Sequence, residues 1–317
     1  VDGGIVGFVF AFGGYNSRKS FAGSAAGMTI GVEALSLVKV RPFIKWAGGK
    51  RALLPELLRL APKEFNNYFE PFIGGGALFF ELTRLGALRG KKAYLFDANA
   101  ELINTYQTVK KQPKKLLKQL YEFQARHSEE FYYATRAMDR EEGFKSLPNE
   151  IRAARFIYLN KTCFNGLWRV NSKGYHNVPS GKYKNPTIYD EELIMAASVA
   201  LQNAQIQNID FAKVLDYAKE GDFVYFDPPY YPLTPTSSFT AYHENVFLDE
   251  EQKRLFGVFE ELSDKGVSAM HSNSDTEFIK ELYTGYDIKF VEANRFINSK
   301  SSGRGKINEV IIKGSRG

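Results

Sequence analysis

From residue 41 onward, short apolar runs alternate with longer stretches of helical spacing, and the alternation predicts strands and helices in turn. Residues 68–73 read as a strand running into Gly74-Gly75-Gly76, and residues 77–85 carry helical spacing. Residues 92–96 read as a second strand, ending at Asp97. A helix-rich stretch follows, in which Leu116, Leu120 and Phe123 fall at i, i+4 and i+7 on one apolar face. Around residues 168–186 Asn, Gly, Pro and Tyr dominate, which signals irregular structure. The alternation then resumes with a strand at residues 223–226, a helix at 250–262 with Leu255, Phe259 and Leu262 inward, and a strand at 267–270. Residues 288–295 and 307–313 flank a Ser/Gly/Lys loop and read as an antiparallel hairpin. Strands alternating with helices imply an α/β sheet wound by right-handed crossovers, with ligands at the carboxyl ends of its strands.

Composition narrows the class. With 44% hydrophobic and 15% aromatic residues, a chain of 317 residues has material for one large core or a core with a smaller lobe, which excludes wholesale disorder. No run reaches the roughly 18 to 20 apolar residues of a membrane span. One cysteine, Cys163, and four histidines supply neither a disulfide nor a zinc-ligand cluster, so a reducing, cytoplasmic setting and a metal-free site are expected. Residues 1–40 hold eight glycines without a clean period and lack the features of a signal or transit peptide. They are expected to form an N-terminal extension, a leader or an expression-derived arm, ahead of a folded part that begins near Arg41.

The net charge of +6 is unevenly placed: residues 104–189 carry 16 basic against 7 acidic side chains, and the rest of the chain 26 against 29. A Lys-rich run such as residues 110–118 reads either as a solvated helical surface or as the electrostatic footprint of a polyanion.

The unusual residues fall where strands end. Glycines after the first strand permit positive φ and close backbone approach to a ligand, although the spacing completes neither a dinucleotide fingerprint nor a phosphate-binding loop. Asp97 can accept hydrogen bonds from ribose hydroxyls, or cap the helix that begins near Ala98. Asp227-Pro228-Pro229-Tyr230 is more specific. Its prolines cannot donate backbone hydrogen bonds, so the turn presents carbonyl acceptors beside a carboxylate and an aromatic face. A flipped-out base can stack on Tyr230 while its amino group donates to Asp227 and the Pro228 carbonyl, which would stabilise positive charge developing on the nitrogen.

At these residues the chain resembles the DNA adenine-N6 methyltransferases that act on GATC sites, over roughly residues 41–313. Phe43-Ile44-Lys45-Trp46-Ala47-Gly48-Gly49-Lys50 is similar to the family's N-terminal cofactor motif, residues 70–76 to its Phe-x-Gly-x-Gly motif, and residues 227–230 to its catalytic motif. The resemblance implies a Rossmann-like sheet with a mostly helical target-recognition domain, S-adenosylmethionine as methyl donor and adenine in double-stranded DNA as acceptor. It places Trp46, Ala47, Gly48, Gly49, Lys50, Glu70, Phe72, Gly74, Gly76 and Asp97 around the cofactor, with Asp210 and Phe211 near its adenine. Asp227, Pro228, Pro229 and Tyr230 become catalytic.

A second stretch of resemblance lies in residues 162–169 and 177–184. It implies DNA contact by Phe164, Asn165, Leu167, Arg169, Pro179, Tyr183 and Lys184, together with Lys45. Arg169 can offer a bidentate fork to guanine, Leu167 and Pro179 apolar contacts to a thymine methyl, and Phe164 a wedge for the gap a flipped adenine leaves. Phe164 stands where relatives carry tyrosine, and Ser180 and Lys182 also depart from the family pattern. Residues 231–247, including Phe239-Thr240-Ala241-Tyr242-His243, resemble the loop that orders over DNA. The expected division is the extension at 1–40, a catalytic domain from 41–103 and 190–317, and a recognition insert at 104–189, acting as a monomer. Cytosine N4, RNA adenine and a protein glutamine amide remain alternative acceptors, and a DNA-binding relative without catalysis the alternative class.

Overall fold

The computed structural model describes residues 40–46, 48, 50–233, 247–294 and 306–316. Ala47, Gly49, residues 1–39 and residues 239–243 lie outside them. Seven strands form one sheet: β1 (Tyr68–Glu70), β2 (Ala93–Phe96), β3 (Ala204–Gln207), β4 (Phe223–Phe226), β5 (Ser268–Ser274), β6 (Tyr286–Asn294) and β7 (Lys306–Arg316). Their order is β3-β2-β1-β4-β5-β7-β6. The first five are parallel, and β7 lies antiparallel between β5 and β6. The sheet is Rossmann-like, as expected, with the antiparallel pair at its C-terminal edge.

Strand order reverses between β1 and β4, because the chain winds outward through β2 and β3 before returning to the other side of β1. That reversal opens a crevice at the carboxyl ends of the two strands. Both faces of the sheet are covered, which is why β4 is apolar and buried at every position. Tyr68, Leu95, Phe223 and Tyr225 join one hydrophobic cluster, and Phe69, Phe96, Val224 and Phe226 the other, following the alternation of a strand. Each such large side chain contributes about 1.5 to 3 kcal/mol on burial.

The helices are α1 (Leu54–Leu60), α2 (Ala77–Arg84), α3 (Ala100–Lys111), α4 (Pro113–Ala125), α5 (Glu129–Ala137), α6 (Asn149–Thr162), α7 (Glu191–Ala200), α8 (Asp249–Asp264) and α9 (Glu277–Leu282). Helices α3 to α7 come between β2 and β3. Leu116, Leu120 and Phe123 of α4 are buried as their spacing predicts, and they share a cluster with Phe156 of α6 and with one face of the sheet. In this stretch Arg155 is almost fully buried, held 2.7 Å from Asp139 and by the carbonyls of Thr135 and Arg136.

Three elements differ from the sequence reading. β1 stops at Glu70 because Pro71 has no N–H for the ladder, although Ile73 still donates to Phe96 (2.9 Å). β5 continues to Ser274, well past residue 270, because its polar side chains find partners inside the fold. β3 shows only a two-residue apolar alternation, Ala204 and Ile206, too short to announce a strand. Among the described residues, no helix is long and apolar enough to cross a membrane.

Candidate active site

The glycine turn after β1 is held from both sides. Gly74 and Gly76 take positive φ, 44° and 67°, which disfavours any other residue. A Cβ on Gly74 would stand 2.7 Å from Trp46 Cδ1, and one on Gly76 2.9 Å from the Tyr106 hydroxyl. That hydroxyl donates to the Gly74 carbonyl (3.0 Å). The Gly74 N–H donates to Asp97 Oδ2 (3.1 Å), while Asp97 Oδ1 accepts from the Asn99 N–H (2.9 Å). The helix-capping role considered for Asp97 belongs to Asn99, whose side chain accepts from Glu101 and Leu102 at the start of α3. Burial raises the Asp97 carboxyl above its ordinary value, and the two N–H bonds oppose the rise. Glu70 is buried behind the turn and accepts from the Tyr68 hydroxyl (2.8 Å). Burial, reinforced by nearby Asp227, pushes it well above the usual carboxylate range despite that bond.

Across the crevice, Asp227 follows the last residue of β4. Its Oδ1 receives Lys50 Nζ (2.8 Å) and the Ser272 hydroxyl (3.0 Å), and Oδ2 has no protein donor among the described residues. Burial raises this carboxyl, against the pull of Lys50 and Ser272. Lys50 also donates to the Gly48 carbonyl (2.7 Å) and lies 4.3 Å from the centroid of the Tyr230 ring. The structure therefore brings a residue of the N-terminal motif onto the Asp-Pro-Pro-Tyr turn. Pro228 is buried, Pro229 exposed and Tyr230 intermediate, with the Tyr230 hydroxyl donating to Glu309 of β7 (2.7 Å).

Beneath the turn lies a polar layer that the sequence reading left without a role. Ser272, Asn273 and Ser274 of β5, with Gln252 of α8, are buried. Asn273 Oδ1 accepts from the Tyr231 N–H (3.0 Å), and its Nδ2 donates to Gln252 Oε1 (3.1 Å). Gln252 Nε2 donates to the Pro229 carbonyl (3.2 Å), and the Ser274 hydroxyl to the Tyr231 carbonyl (2.6 Å). The signal was present as a Ser-Asn-Ser run continuing an apolar strand; its partners lie on other elements.

Asp210 and Phe211 stand on the far side of β1. The Asp210 carboxylate caps the turn at Phe211–Asp216 through the Ala212 N–H and takes a two-pronged bond from Arg254, both prongs 2.7 Å. Arg254 holds this carboxyl below its ordinary value. Phe211 is buried and stacks with Phe72 at 5.2 Å between centroids, and Phe247 lies edge-on to Phe72 at 5.5 Å. Together they make an aromatic wall beside the glycine turn.

The DNA-contact candidates gather on a separate laced pair of segments. After α6 the chain turns through Phe164–Gly166, with Asn165 and Gly166 at positive φ, 55° and 66°. The Phe164 N–H donates to the Pro179 carbonyl (2.9 Å) and the Gly181 N–H to Thr162 (2.8 Å). Phe164 is 48% and Tyr183 39% exposed. Asn165, Arg169, Pro179 and Lys184 are exposed as well, whereas Leu167 is half-buried and packs with Trp168 on the core. Arg169 Nε donates to the Asn177 side chain (2.8 Å), not to a carboxylate. Lys45 lies 5.7 Å from the Tyr183 ring. Buried Asn160 of α6 ties this face to the N-terminal motif, accepting from the Lys45 N–H (2.8 Å) and donating to the Lys45 carbonyl (2.7 Å). Phe156 of the same helix stacks on Trp46 and packs on Trp168.

Comparison with known proteins adds an independent finding. The family described as D12 class N6 adenine-specific DNA methyltransferase matches residues 46–297. The chain is 47% identical over 277 residues to the Type II methyltransferase M1.LlaDCHI of Lactococcus lactis subsp. cremoris, covering 87% of this chain and 95% of the relative. It is 42% identical over 284 residues to the Type II methyltransferase M.MjaIII of Methanocaldococcus jannaschii, covering 84% and 96%. The DNA adenine methylase of Escherichia coli strain K12 is 36% identical over 275 residues, covering 86% and 95%.

Proposed function

The chain belongs to the D12 class N6 adenine-specific DNA methyltransferases, and on that premise we propose that it methylates a flipped-out adenine within GATC in duplex DNA. The observation that carries the reading is the meeting of two turns at the β1/β4 crevice. The glycine turn faces a Pro-Pro turn whose Asp227 Oδ2 has no protein donor among the described residues.

The family and fold imply S-adenosylmethionine, which supplies an electrophilic methyl group when bound. The residues present fit it. Asp97 spends one lone pair of each oxygen on Gly74 and Asn99, leaving the others for ribose hydroxyls. Phe72 and Phe247, half-buried and backed by buried Phe211, offer apolar surface to a nucleobase. The turn at Gly74 tolerates no side chain, since Trp46 occupies the space a Cβ would need. Trp46, Gly48, Gly74, Gly76 and Asp97 are the residues assigned to hold it, with Ala47 and Gly49 of the same motif.

For the acceptor, Asp227 Oδ2 and the Pro228 carbonyl each accept one N–H of the adenine amino group, aiming the nitrogen lone pair away from them. Tyr230 stacks on the base. Charge developing on the nitrogen is offset by the Asp227 carboxylate, whose Oδ1 takes the Lys50 ammonium. Oδ2 is placed to accept the proton that the nitrogen releases after methylation. Phe164, Asn165, Leu167, Arg169, Pro179, Tyr183 and Lys184, within an insert carrying 16 basic against 7 acidic side chains, read the site together with Lys45.

The test is methylation of random-sequence duplex DNA with the modified positions mapped at base resolution. N6-methyladenine confined to GATC is expected. Modification at cytosine N4, or only of RNA or of a glutamine-containing peptide, overturns the acceptor, and a different adenine context overturns GATC.

A further inference from the structure

Tyr230 has to present its ring at one angle if a base is to stack on it with its amino group on Asp227. The prolines before it lack N–H donors, so the Pro-Pro turn cannot hold itself through its own backbone amides. Instead, side chains grip the backbone on either side of Tyr230. On one side Gln252 Nε2 donates to the Pro229 carbonyl (3.2 Å). On the other, Asn273 Oδ1 accepts from the Tyr231 N–H (3.0 Å). A bond between the two amides, Asn273 Nδ2 to Gln252 Oε1 (3.1 Å), closes the clamp. Both side chains are fully buried, so neither bond exchanges readily with water.

We propose that Gln252 and Asn273 are positioning residues, an amide clamp that sets the angle of Tyr230 without touching substrate. This rests on the functional reading above, in which Tyr230 stacks the target base. Gln252 lies in the first turn of α8, where packing alone would accept an apolar side chain of similar length beside buried Leu255. Its two side-chain hydrogen bonds are not a folding requirement of the helix. Loosening the clamp lets the turn rotate about Tyr230 and leaves the recognition face and glycine turn as they were.

Gln252→Met keeps the volume and removes the amide. Its kcat should fall about 10- to 100-fold, the cost of a misplacement of about 1 Å, while KM for DNA and for S-adenosylmethionine stay within about threefold. With 2-aminopurine at the target position, the variant should give brighter emission than the wild type, because the flipped base stacks less on Tyr230. Amide hydrogen exchange at Tyr231, read by NMR on the protein alone, should accelerate by about tenfold or more as its acceptor is freed. Wild-type kcat and unchanged Tyr231 exchange in the variant overturn the clamp. So does a loss of activity that follows a fall in thermal stability, with Tyr231 exchange unmoved, since that is a packing effect. If the wild type fails to methylate adenine, the functional reading fails, and the Tyr231 exchange still decides whether the clamp exists.

Discussion

Two turns of this molecule invite comparison, the one at Asp227–Tyr230 and the one at Phe164–Gly166. The first is gripped by side chains from other elements: Asp227 by Lys50 and Ser272, Pro229 by Gln252, Tyr230 by Glu309, Tyr231 by Asn273 and Ser274. The second is laced only through its backbone, and its side chains stay in solvent, with Phe164 48% exposed. The difference fits the roles proposed for the two turns. Charge that develops during a reaction is best met by groups already fixed in place, because reorganising them would add to the barrier. Groups that read a partner can wait unpartnered in water, where each costs little until the partner arrives.

The largest effect expected from this contrast is at Asp227. Asp227→Ala should remove at least about 3 kcal/mol of transition-state stabilisation, a loss of roughly a hundredfold or more in turnover. DNA affinity should change little. Near-normal single-turnover methylation would show that the fixed turn is scaffold only.

Asp97 ranks next, because it serves both the glycine turn and, as proposed, the donor. Asp97→Ala should weaken S-adenosylmethionine binding by about 1.5 to 3 kcal/mol. Calorimetry showing unchanged affinity would reduce Asp97 to a tie between Gly74 and Asn99.

On the recognition side, Arg169→Ala should cost about 1 to 3 kcal/mol on the cognate site and relax preference at one base pair, if its fork reads guanine. A phosphate contact would instead weaken all sequences alike and reduce the slope of log affinity against log salt by about one unit. Competition with single-base variants at several salt concentrations separates the two. The second outcome would make the exposed turn a positioning surface rather than a reading one.

The last test asks whether the two regions differ inside as they do outside. His271 of β5 and His176, two residues before buried Val178, are both buried, and burial pushes both rings down to about 3. The unfolded chain takes up a proton at each near pH 6.5, and the folded chain only near pH 3. Stability is therefore complete above pH 6.5 and falls with acidification, by about 1.4 kcal/mol per pH unit for each histidine. Denaturation midpoints at pH 7, 6 and 5 should fall in step. His271→Gln and His176→Gln should each flatten the slope by one proton; if only one does, acid sensitivity resides in one region.

Much of the site was legible because the chemistry sits next to local backbone signals. Three glycines after an apolar run, an Asp at the end of the next, and Asp-Pro-Pro-Tyr after a four-residue apolar strand each mark a strand end, and a wound sheet brings strand ends to one edge. Leu116, Leu120 and Phe123 were legible for a related reason, since helical spacing alone puts them on one face. Asp97 was half legible. Its position pointed to a ligand, but the choice between capping and bridging depended on Asn99 and Gly74, which each donate to one of its two oxygens.

Six of the seven strands, the positions of the two turns and the concentration of positive charge at residues 104–189 could be read along the chain, because all are properties of neighbouring residues. What holds those turns was settled by the tertiary structure. Lys50 reaches Asp227 from the N-terminal motif, Glu309 reaches Tyr230 from the last strand, and Asn160 binds Lys45 across the fold. The run Ser272-Asn273-Ser274 looks like a polar turn until β5 is buried between β4 and β7. Water then no longer satisfies those groups, and they must bond to whatever the sheet has placed above them.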